Sequence, residues 1–200
     1  NVSSTWGTGL AENRTGSMNL KWEVSTKTNF GIDARFFDDK VDMTVDFFHT
    51  KTTDIFQRRA NIPDEGGLSN VLPYANIGSM KSWGMDGTLA YTHTFNKDMA
   101  LTVRGNFTHA ENEVIYWEQS GVNYPYQSNS GVPYKVQRGL IALGLFKDED
   151  DIKSSPKQTF MDNYRPGDIK YKDVNGDGKI DKDDVVPLNY SAVPFIQYGF

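Results

Sequence analysis

A chain of 200 residues with a net charge of −5 and a pI near 5.2 carries no basic stripe, which argues against nucleic acid as its main partner. The absence of cysteine excludes disulfides, cysteine metal sites and a cysteine nucleophile. Aromatic residues reach 13%, which argues against disorder, and no run of 18 apolar residues predicts a transmembrane helix.

The first predicted element is a β-hairpin over about residues 28–50. Apolar and polar residues alternate in "NFGIDARF" (29–36) and in "VDMTVDF" (41–47), and a period of two predicts strands. On one face Arg35 falls opposite Asp42, an opposite-charge pair. The short connection sets the register of the apolar face, which pairs Phe36 with Val41, Ala34 with Met43, Ile32 with Val45, and Phe30 with Phe47.

A second hairpin is predicted over about residues 83–110. The stretches "GMDGTLAYTHTF" (84–95) and "MALTVRGNFTH" (99–109) also alternate, and the turn "NKD" (96–98) joins them. The predicted cross-strand pairs are Phe95 with Met99, His93 with Leu101, Tyr91 with Val103, Met85 with His109, and Gly87 with Phe107. An aromatic ring that covers a glycine across the ladder is a known stabilising device of sheets.

Connections of very unequal length follow these hairpins. Long loops are expected over about 48–82 and 110–194, whereas the turns are short. Compact soluble domains rarely carry structureless connections of that length, but outer-membrane β-barrels combine short periplasmic turns with long outer loops. Strands of about ten residues, tilted by about 40°, would span the apolar band of about 25 Å in such a barrel. A soluble sandwich whose apolar face is its core is the alternative.

The predicted fold class is therefore all-β, with antiparallel strands of a large transmembrane β-barrel present here as a fragment. Four strands alone would leave two open edges, and a barrel in lipid has to close. The chain begins at Asn1 without methionine. We therefore expect residues 1–200 to be a partial barrel segment of a longer polypeptide.

An acidic loop, residues 173–184, reads "DVNGDGKIDKDD" and matches the spacing of a twelve-residue calcium loop. Gly178 occupies the sixth position, where the chain has to turn sharply. Its flanks contain prolines and no helical apolar stripe, so a single structural Ca²⁺ that clips a long loop is expected rather than a sensor pair. The alternative is a solvated acidic turn. The predicted ligands are Asp173, Asn175, Asp177, Lys179 through its backbone carbonyl, Asp181 and Asp184.

An aromatic segment, residues 114–135, precedes the acidic loop. Its amphipathic rings suit recognition of a sugar or a partner protein. The alternative is that they pack the segment against itself or a neighbouring loop. The candidate contact residues are Tyr116, Trp117, Tyr124, Tyr126 and Tyr134.

No enzymatic site is predicted. His93 and His109 share a strand face but pair with apolar residues, and His49 lies at a strand end. The carboxylates Asp38 and Asp39 fall in a turn, where aspartate suits the backbone. No activated nucleophile or tuned acid–base pair emerges from this pattern.

Three stretches resemble one family, the SusC/RagA-type TonB-dependent outer-membrane transporters of Bacteroidota. They are residues 20–56, which begin "LKWEVSTKTNFGIDARF", residues 75–95, "ANIGSMKSWGMDGTLAYTHTF", and residues 165–184, "RPGDIKYKDVNGDGKIDKDD". The final "VPFIQYGF" (193–200) is similar to the start of a further strand of that family.

The resemblance implies a large barrel of the bacterial outer membrane that imports oligosaccharides or peptides together with a SusD-like surface lipoprotein. It also implies a plug and a segment that contacts TonB, both outside this chain, and contact with outer-membrane lipid. The alternative function is a soluble, calcium-stabilised β-domain that binds carbohydrate or a cell-surface ligand. An envelope hydrolase is a third and weaker reading.

Overall fold

A computed structural model describes residues 16–17, 19–62 and 72–200. Its main feature is a five-stranded antiparallel sheet. The five strands are β1 (Val24–Phe36), β2 (Val41–Arg58), β3 (Tyr74–Asn96), β4 (Met99–Tyr116) and β11 (Ile196–Gly199). They lie side by side in the order β1-β2-β3-β4-β11, and the four long strands follow one another in chain order, as in an up-and-down barrel wall.

The register predicted for the first hairpin is confirmed. Ile32 lies opposite Val45 and Arg35 lies opposite Asp42, and the other three predicted apolar pairs also form. Phe37, Asp38 and Asp39 in the turn have positive φ angles of 59°, 54° and 62°. Aspartate tolerates this left-handed conformation because its side chain can bond to the local backbone, which agrees with its predicted place in the turn.

The second hairpin is confirmed except at its tip. His93 pairs with Leu101, Tyr91 with Val103, Met85 with His109, and Gly87 with Phe107, all as predicted. At the tip the register shifts and Asn96, rather than Phe95, lies opposite Met99. The Asn96 side chain accepts a hydrogen bond from the Asp98 backbone amide at 2.9 Å, which tightens the turn. The strand β11 over Ile196–Gly199 confirms the expected further strand.

The strands extend well beyond the predicted hairpins, so the expected loop over 48–82 has to be corrected. β2 continues to Arg58 and β3 already begins at Tyr74, while residues 63–71 lie outside the described part of the chain. Register shifts follow Thr52, and Asp54 has a positive φ of 55°. These bulges disturb the alternation that reveals a strand in sequence, although the backbone ladder continues past them.

The sheet has one apolar and one polar face. Side chains of the apolar face are strongly exposed, with Phe30 at 63% and Leu101 at 53%. No second layer of described residues covers them, which argues against the soluble sandwich with a sealed core. This face carries the rows Phe36–Val41–Tyr91–Val103, Ala34–Met43–Leu89–Gly105, Ile32–Val45–Gly87–Phe107 and Phe30–Phe47–Met85–His109.

The opposite face is lined by polar and acidic residues. Asp46 of β2 lies directly opposite Asp86 of β3, and the Thr44 hydroxyl donates to Asp33 at 2.8 Å. Phe48 is an aromatic exception whose ring lies over Gly84. Alternation of apolar and polar residues therefore persists across the four long strands.

Residues 117–195 form a folded cap beside one end of the sheet, which corrects the expectation of a structureless loop over 110–194. Its elements are β5 (Val136–Gly139), β6 (Ala142–Leu145), α1 (Glu149–Ser154), β7 (Lys157–Gln158), β8 (Ile169–Tyr171), β9 (Lys179–Ile180) and β10 (Val186–Ser191). Small sheets pair β10 with β5, β6 with β8, and β7 with β9. Buried apolar side chains in this cap include Phe146, Ile180 and Val186.

In the part of the chain that the structure describes, helix is confined to short pieces. Asp148 caps α1 by accepting a hydrogen bond from the Asp151 backbone amide at 2.8 Å. Within the described ranges, no helix is both long and apolar enough to cross a membrane.

Candidate functional site

The acidic loop is held by hydrogen bonds from backbone amides to its own carboxylates. The two oxygens of Asp173 accept from the amides of Gly176 and Gly178 at 2.7 and 2.8 Å. Gly178 has a φ of 84°, a conformation that glycine adopts without steric cost, as expected for the sharp turn at the sixth position. The loop is therefore pre-folded around Asp173.

The far end of the loop closes on the buried side chain of Asp184. Its two oxygens accept from the amides of Val174 and Asp181 at 2.7 and 2.9 Å. Ile180, between these contacts, is fully buried and pairs with Gln158 across the parallel strands β7 and β9. Asp184 thus joins the first and last turns of the acidic loop.

Lys179 provides the positive charge nearest to the central carboxylates. Its ammonium lies 3.0 Å from Asp181 and 3.5 Å from Asp177. The hydrogen bond from the Asp183 amide, together with Lys179, lowers the pKa of the Asp181 carboxyl. The hydrogen bond to Asp181 and the charge of Asp177 raise the pKa of Lys179.

The donor chemistry fits a hard cation such as calcium, because five carboxyl or amide side chains and one backbone carbonyl are drawn from one short loop. Nevertheless, no three acidic or histidine side chains in the described part of the chain converge in a ready metal-binding arrangement. Lys179 occupies part of the space between the carboxylates instead. A cation would have to displace this ammonium.

The acidic loop and the aromatic segment are fastened to one another. The Tyr126 hydroxyl donates to the Asp183 carbonyl at 2.6 Å, and Gln127 donates to the Asp183 carboxylate at 3.2 Å. Asn175 donates to the Tyr124 hydroxyl at 3.3 Å. Burial, followed by the charge of Tyr124 and of the nearby aspartates, raises the pKa of Tyr126. These two tyrosines therefore pack against the acidic loop.

The rings of the tyrosine pair stack on each other, and Arg138 holds the backbone of Tyr126 in place. The rings of Tyr124 and Tyr126 stack with centroids 5.3 Å apart. The Arg138 guanidinium donates to the carbonyls of Tyr126 and Ser128 at 3.1 and 2.5 Å and to the Asn129 side chain at 3.2 Å. Arg138 was not singled out in the sequence, since nothing local shows that an arginine on β5 reaches back to residues 126–129.

Trp117 and Tyr134 form a second aromatic group, apart from the tyrosine pair. Their rings are 6.5 Å apart at an angle of 48° and line a cleft of about 260 Å³ with Val132 and Lys135. The Lys135 ammonium lies 5.5 Å from the Tyr134 ring. Tyr116 stands alone at the end of β4 and is exposed. The five predicted aromatic residues thus divide into a packed pair, an open cleft and a single exposed ring.

An ion pair between half-exposed Arg59 and buried Glu118 ties the cap to the end of β2. The Arg59 guanidinium lies 2.7 Å from the carboxylate of Glu118, which is only 6% exposed and also accepts from the Asn61 amide at 3.1 Å. Glu118 was missed in the sequence because its partner is 59 residues away. Burial of a charge demands such a partner.

His93 and His109 share the apolar face of the sheet, as expected, and His49 lies on the same face in the middle of β2 rather than at the expected strand end. The His93 ring contacts Phe95 at 4.4 Å, His109 lies 3.6 Å from Glu111, and His49 is opposite Trp83. They are spread over three strands rather than gathered around one point.

Together, the two-faced sheet of long meandering strands and the cap beside one end define a segment of a transmembrane β-barrel wall. The family described as TonB dependent receptor-like, beta-barrel matches residues 1–183. The chain belongs to this family of TonB-dependent receptor β-barrels.

Curated relatives agree with this assignment. The chain is 31% identical over 207 residues to TonB-dependent receptor P39 of Formosa agariphila, covering 86% of this chain and 20% of that protein. It is 26% identical over 176 residues to TonB-dependent receptor SusC of Bacteroides thetaiotaomicron, covering 83% of this chain and 16% of SusC. The chain thus spans a fifth or less of the curated relatives it matches, and these are named as receptors.

A solved structure shows the same fold. The RagAB peptide transporter superposes with a TM-score of 0.68 at 23% identity, covering 100% of this chain and 21% of that chain. The "open-open" state of the RagAB peptide importer gives the same TM-score at 22% identity. Both confirm that the sheet and cap are a fragment of the barrel fold.

Proposed function

We propose that the protein containing this chain is a TonB-dependent importer of oligosaccharides or peptides in the bacterial outer membrane. In this proposal the chain supplies adjacent strands of the barrel wall and a folded outer cap. A SusD-like surface lipoprotein acts with it on the cell surface. TonB engages a part of the protein outside this chain.

The observation that carries the proposal is the chemical contrast between the two faces of one sheet. Apolar side chains such as Phe30 and Leu101 are exposed over the length of a membrane band, and lipid hydrocarbon removes them from water. The other face presents Asp46, Asp86 and Thr50 to the barrel interior. A polar interior suits the passage of hydrophilic cargo.

The names of similar proteins and a cleft in the cap support oligosaccharides or peptides as the imported cargo. RagAB is named a peptide importer, and SusC a TonB-dependent receptor. The cleft of Trp117 and Tyr134 offers two aromatic surfaces and the Lys135 ammonium within about 260 Å³. Aromatic faces with one charged neighbour suit a sugar ring or a peptide side chain, or the surface of the lipoprotein.

Uptake by cells tests this function. A strain that lacks the gene is compared with one that carries it, using fluorescent maltoheptaose and a fluorescent mixed peptide library as cargo. We expect energy-dependent accumulation of one cargo, lost on deletion of the gene and on collapse of the proton gradient. Accumulation of both probes that is identical with and without the gene would refute import of these cargo classes.

Partnership with the lipoprotein is tested by purification. The tagged full-length protein, extracted in mild detergent, is expected to retain a SusD-like lipoprotein in stoichiometric amount. A full-length protein that elutes alone from outer membranes containing that lipoprotein would contradict the proposed pairing.

We further propose that Ca²⁺ stabilises the acidic loop. The supporting feature is the oxygen-rich donor set of Asp173, Asn175, Asp177, Asp181 and Asp184, with the Lys179 carbonyl. These residues would hold the cation, and the cation would supply the positive charge that the Lys179 ammonium now provides. Asp184 and Tyr126 would transmit the added rigidity to both ends of the loop and to the aromatic segment.

Calcium titration of the full-length protein tests this role. Millimolar Ca²⁺ is expected to slow amide hydrogen exchange in residues 173–184, and Asp177→Ala is expected to abolish the effect because a charged ligand is lost. Asp150→Ala is the matched control, since Asp150 is an exposed acid of α1 outside the loop. Equal protection in all three proteins, with and without calcium, would refute a calcium site.

A further inference from the structure

The aromatic cleft of Trp117 and Tyr134 lies on the side of the sheet that faces the barrel interior. The Tyr134 amide donates to the Asn112 side chain at 2.7 Å. Asn112 stands in one cross-strand row with Ser82 and Thr50, which belong to the polar face of the sheet. The cleft therefore adjoins the path that hydrophilic cargo takes in the proposed function.

Lys135, at the edge of this cleft, has a backbone conformation that favours glycine. Its φ is 55°, and it is the third residue of a turn that the Val136 amide closes on the Pro133 carbonyl at 3.1 Å. A positive φ at this turn position is usually supplied by glycine or asparagine. The Lys135 carbonyl accepts from the Ala192 amide at 3.2 Å, which fixes the turn. A lysine that breaks the local rule at such a position indicates a use for its side chain.

The positive charge of Lys135 is not matched by the protein around it. Its ammonium lies 5.5 Å from the Tyr134 ring and makes no ion pair or hydrogen bond with a described residue. Glu118, which follows Trp117 in the sequence, is already paired with Arg59 at 2.7 Å. Among the described residues that line the cleft, Lys135 is the only charged one. The cleft is therefore suited to an anion.

The neighbouring polar groups of the cleft are mainly hydrogen-bond donors. The Asn129 side-chain oxygen accepts from Arg138 at 3.2 Å, which leaves the amide nitrogen of Asn129 available to a ligand. The indole N–H of Trp117 and the hydroxyl of Tyr134 bond to no residue in the described ranges. A carboxylate is acceptor-only and takes several hydrogen bonds, so it complements this set of donors.

The same cleft offers a peptide backbone few acceptors. The backbone carbonyls of residues 132–135 each accept a hydrogen bond within the protein. A peptide carries an N–H donor at nearly every residue, whereas a sugar hydroxyl can accept from the cleft and turn its own hydrogen to water. A sugar therefore satisfies the cleft better than a peptide does.

The shape of the cleft agrees with one ring of a sugar chain. The rings of Trp117 and Tyr134 lie 6.5 Å apart at an angle of 48°, and their apolar faces suit the C–H side of a pyranose. The volume of about 260 Å³ lies just below the range of about 300–1,000 Å³ that is typical of pockets for drug-sized ligands. The cleft thus has room for a single residue of an oligosaccharide.

We propose that the aromatic cleft binds a uronic acid residue of an acidic oligosaccharide. The pyranose ring packs against Trp117 and Tyr134, and the Lys135 ammonium pairs with its carboxylate. Its hydroxyls accept from the Asn129 amide. A neutral sugar lacks the ion pair and binds more weakly. The role of the cleft in cargo selection rests on the proposed import function.

Isothermal titration of the full-length protein in detergent tests the site, with trigalacturonic acid and neutral maltotriose as probes. We expect trigalacturonate to bind at least tenfold more tightly, the effect of one hydrogen bond to a charged group. Lys135→Gly should remove this preference without lowering the melting temperature, since glycine adopts a φ of 55° more readily than lysine does. Lys153→Met, which removes an exposed lysine of α1 outside the cleft, should leave the preference unchanged.

A second variant, Trp117→Ala, tests the aromatic wall. It should weaken the binding of both sugars by a similar factor, because packing against the ring does not depend on charge, and so preserve the ratio of the two affinities. Unchanged affinity for both sugars in Trp117→Ala would place them outside the cleft and overturn the inference.

The outcomes separate this inference from the proposed function. Equal affinities for the two sugars in the unmodified protein, or a preference that survives Lys135→Gly, would overturn the acidic-sugar site and leave the import proposal intact. If a tripeptide that ends in phenylalanine binds more tightly than trigalacturonate and loses affinity in Lys135→Gly, the cleft takes a peptide carboxylate and the inference is wrong. Lys135-dependent binding of trigalacturonate by a protein that imports neither cargo probe would support the cleft and contradict only the import function.

Discussion

Gly84 and Gly87 lie three residues apart on β3 but on opposite faces, and we expect alanine to have opposite effects at the two positions. A Cβ at Gly84 would lie 2.8 Å from the Phe48 ring and 2.9 Å from the Ala110 Cα, and closer still to the His109 carbonyl oxygen. Two of these obstacles are backbone atoms of β4, which cannot move without opening the β3–β4 ladder. Gly87 meets nothing nearer than 3.8 Å.

The magnitudes follow from these contacts. Overpacking a tight site costs about 1–3 kcal/mol, and the upper end applies to Gly84→Ala because the backbone itself is displaced. Gly87→Ala should instead stabilise the strand by about 0.5–1 kcal/mol, since alanine loses less conformational freedom than glycine. The free energies of unfolding of the two variants should therefore differ by about 3–4 kcal/mol.

Urea unfolding of the full-length protein in detergent micelles measures this difference. The double variant Gly84→Ala/Phe48→Ala removes the ring and leaves the backbone clash, so we expect it to remain destabilised relative to Phe48→Ala. Coincident unfolding curves for Gly84→Ala and Gly87→Ala would refute the reasoning. So would full rescue by Phe48→Ala, because it would show that the ring alone is the obstacle.

Four further predictions concern the cap and the sheet. Tyr126→Phe should destabilise the contact with the acidic loop by about 1 kcal/mol, the value of one hydrogen bond, seen as faster hydrogen exchange in both segments, whereas Tyr190→Phe, an exposed control, should not. Lys179→Met should bind Ca²⁺ more tightly than the unmodified protein by isothermal titration, because the competing ammonium is gone; weaker binding would contradict the displacement described above. The lowered pKa of Asp181 means that its stabilising charge is fully present above the ordinary carboxyl pKa of about 4 and is lost as the pH falls through the lowered value. Protection of the loop amides, measured relative to their intrinsic exchange rates, should therefore fall only below about pH 4, and an Asp181→Asn variant should show a smaller fall. Finally, the isolated 200-residue chain in detergent-free buffer should aggregate, and a monodisperse monomer that melts cooperatively would argue against the barrel assignment.

The hairpins could be read from the sequence because their determinants are local. Strict alternation places every second side chain on one face, and a short turn then leaves a single register in which Ile32 meets Val45 and Tyr91 meets Val103. The sharp turn at Gly178 in the acidic loop was also readable from local spacing, whereas the calcium ligands stay a prediction. Family membership followed from these same stretches.

The tertiary structure decided what depends on distant partners. The pairing of Tyr126 with Asp183 and of Arg59 with Glu118 joins residues more than fifty positions apart, and no local pattern encodes such contacts. The full length of β2 was hidden because its bulges disrupt the period of two, while ladder hydrogen bonds depend on backbone atoms alone. Sequence alone thus determined which faces of the strands are apolar. The fold determined how the cap packs and where β2 and β3 begin and end, because cap contacts join distant residues and bulges hide strand ends from the sequence pattern.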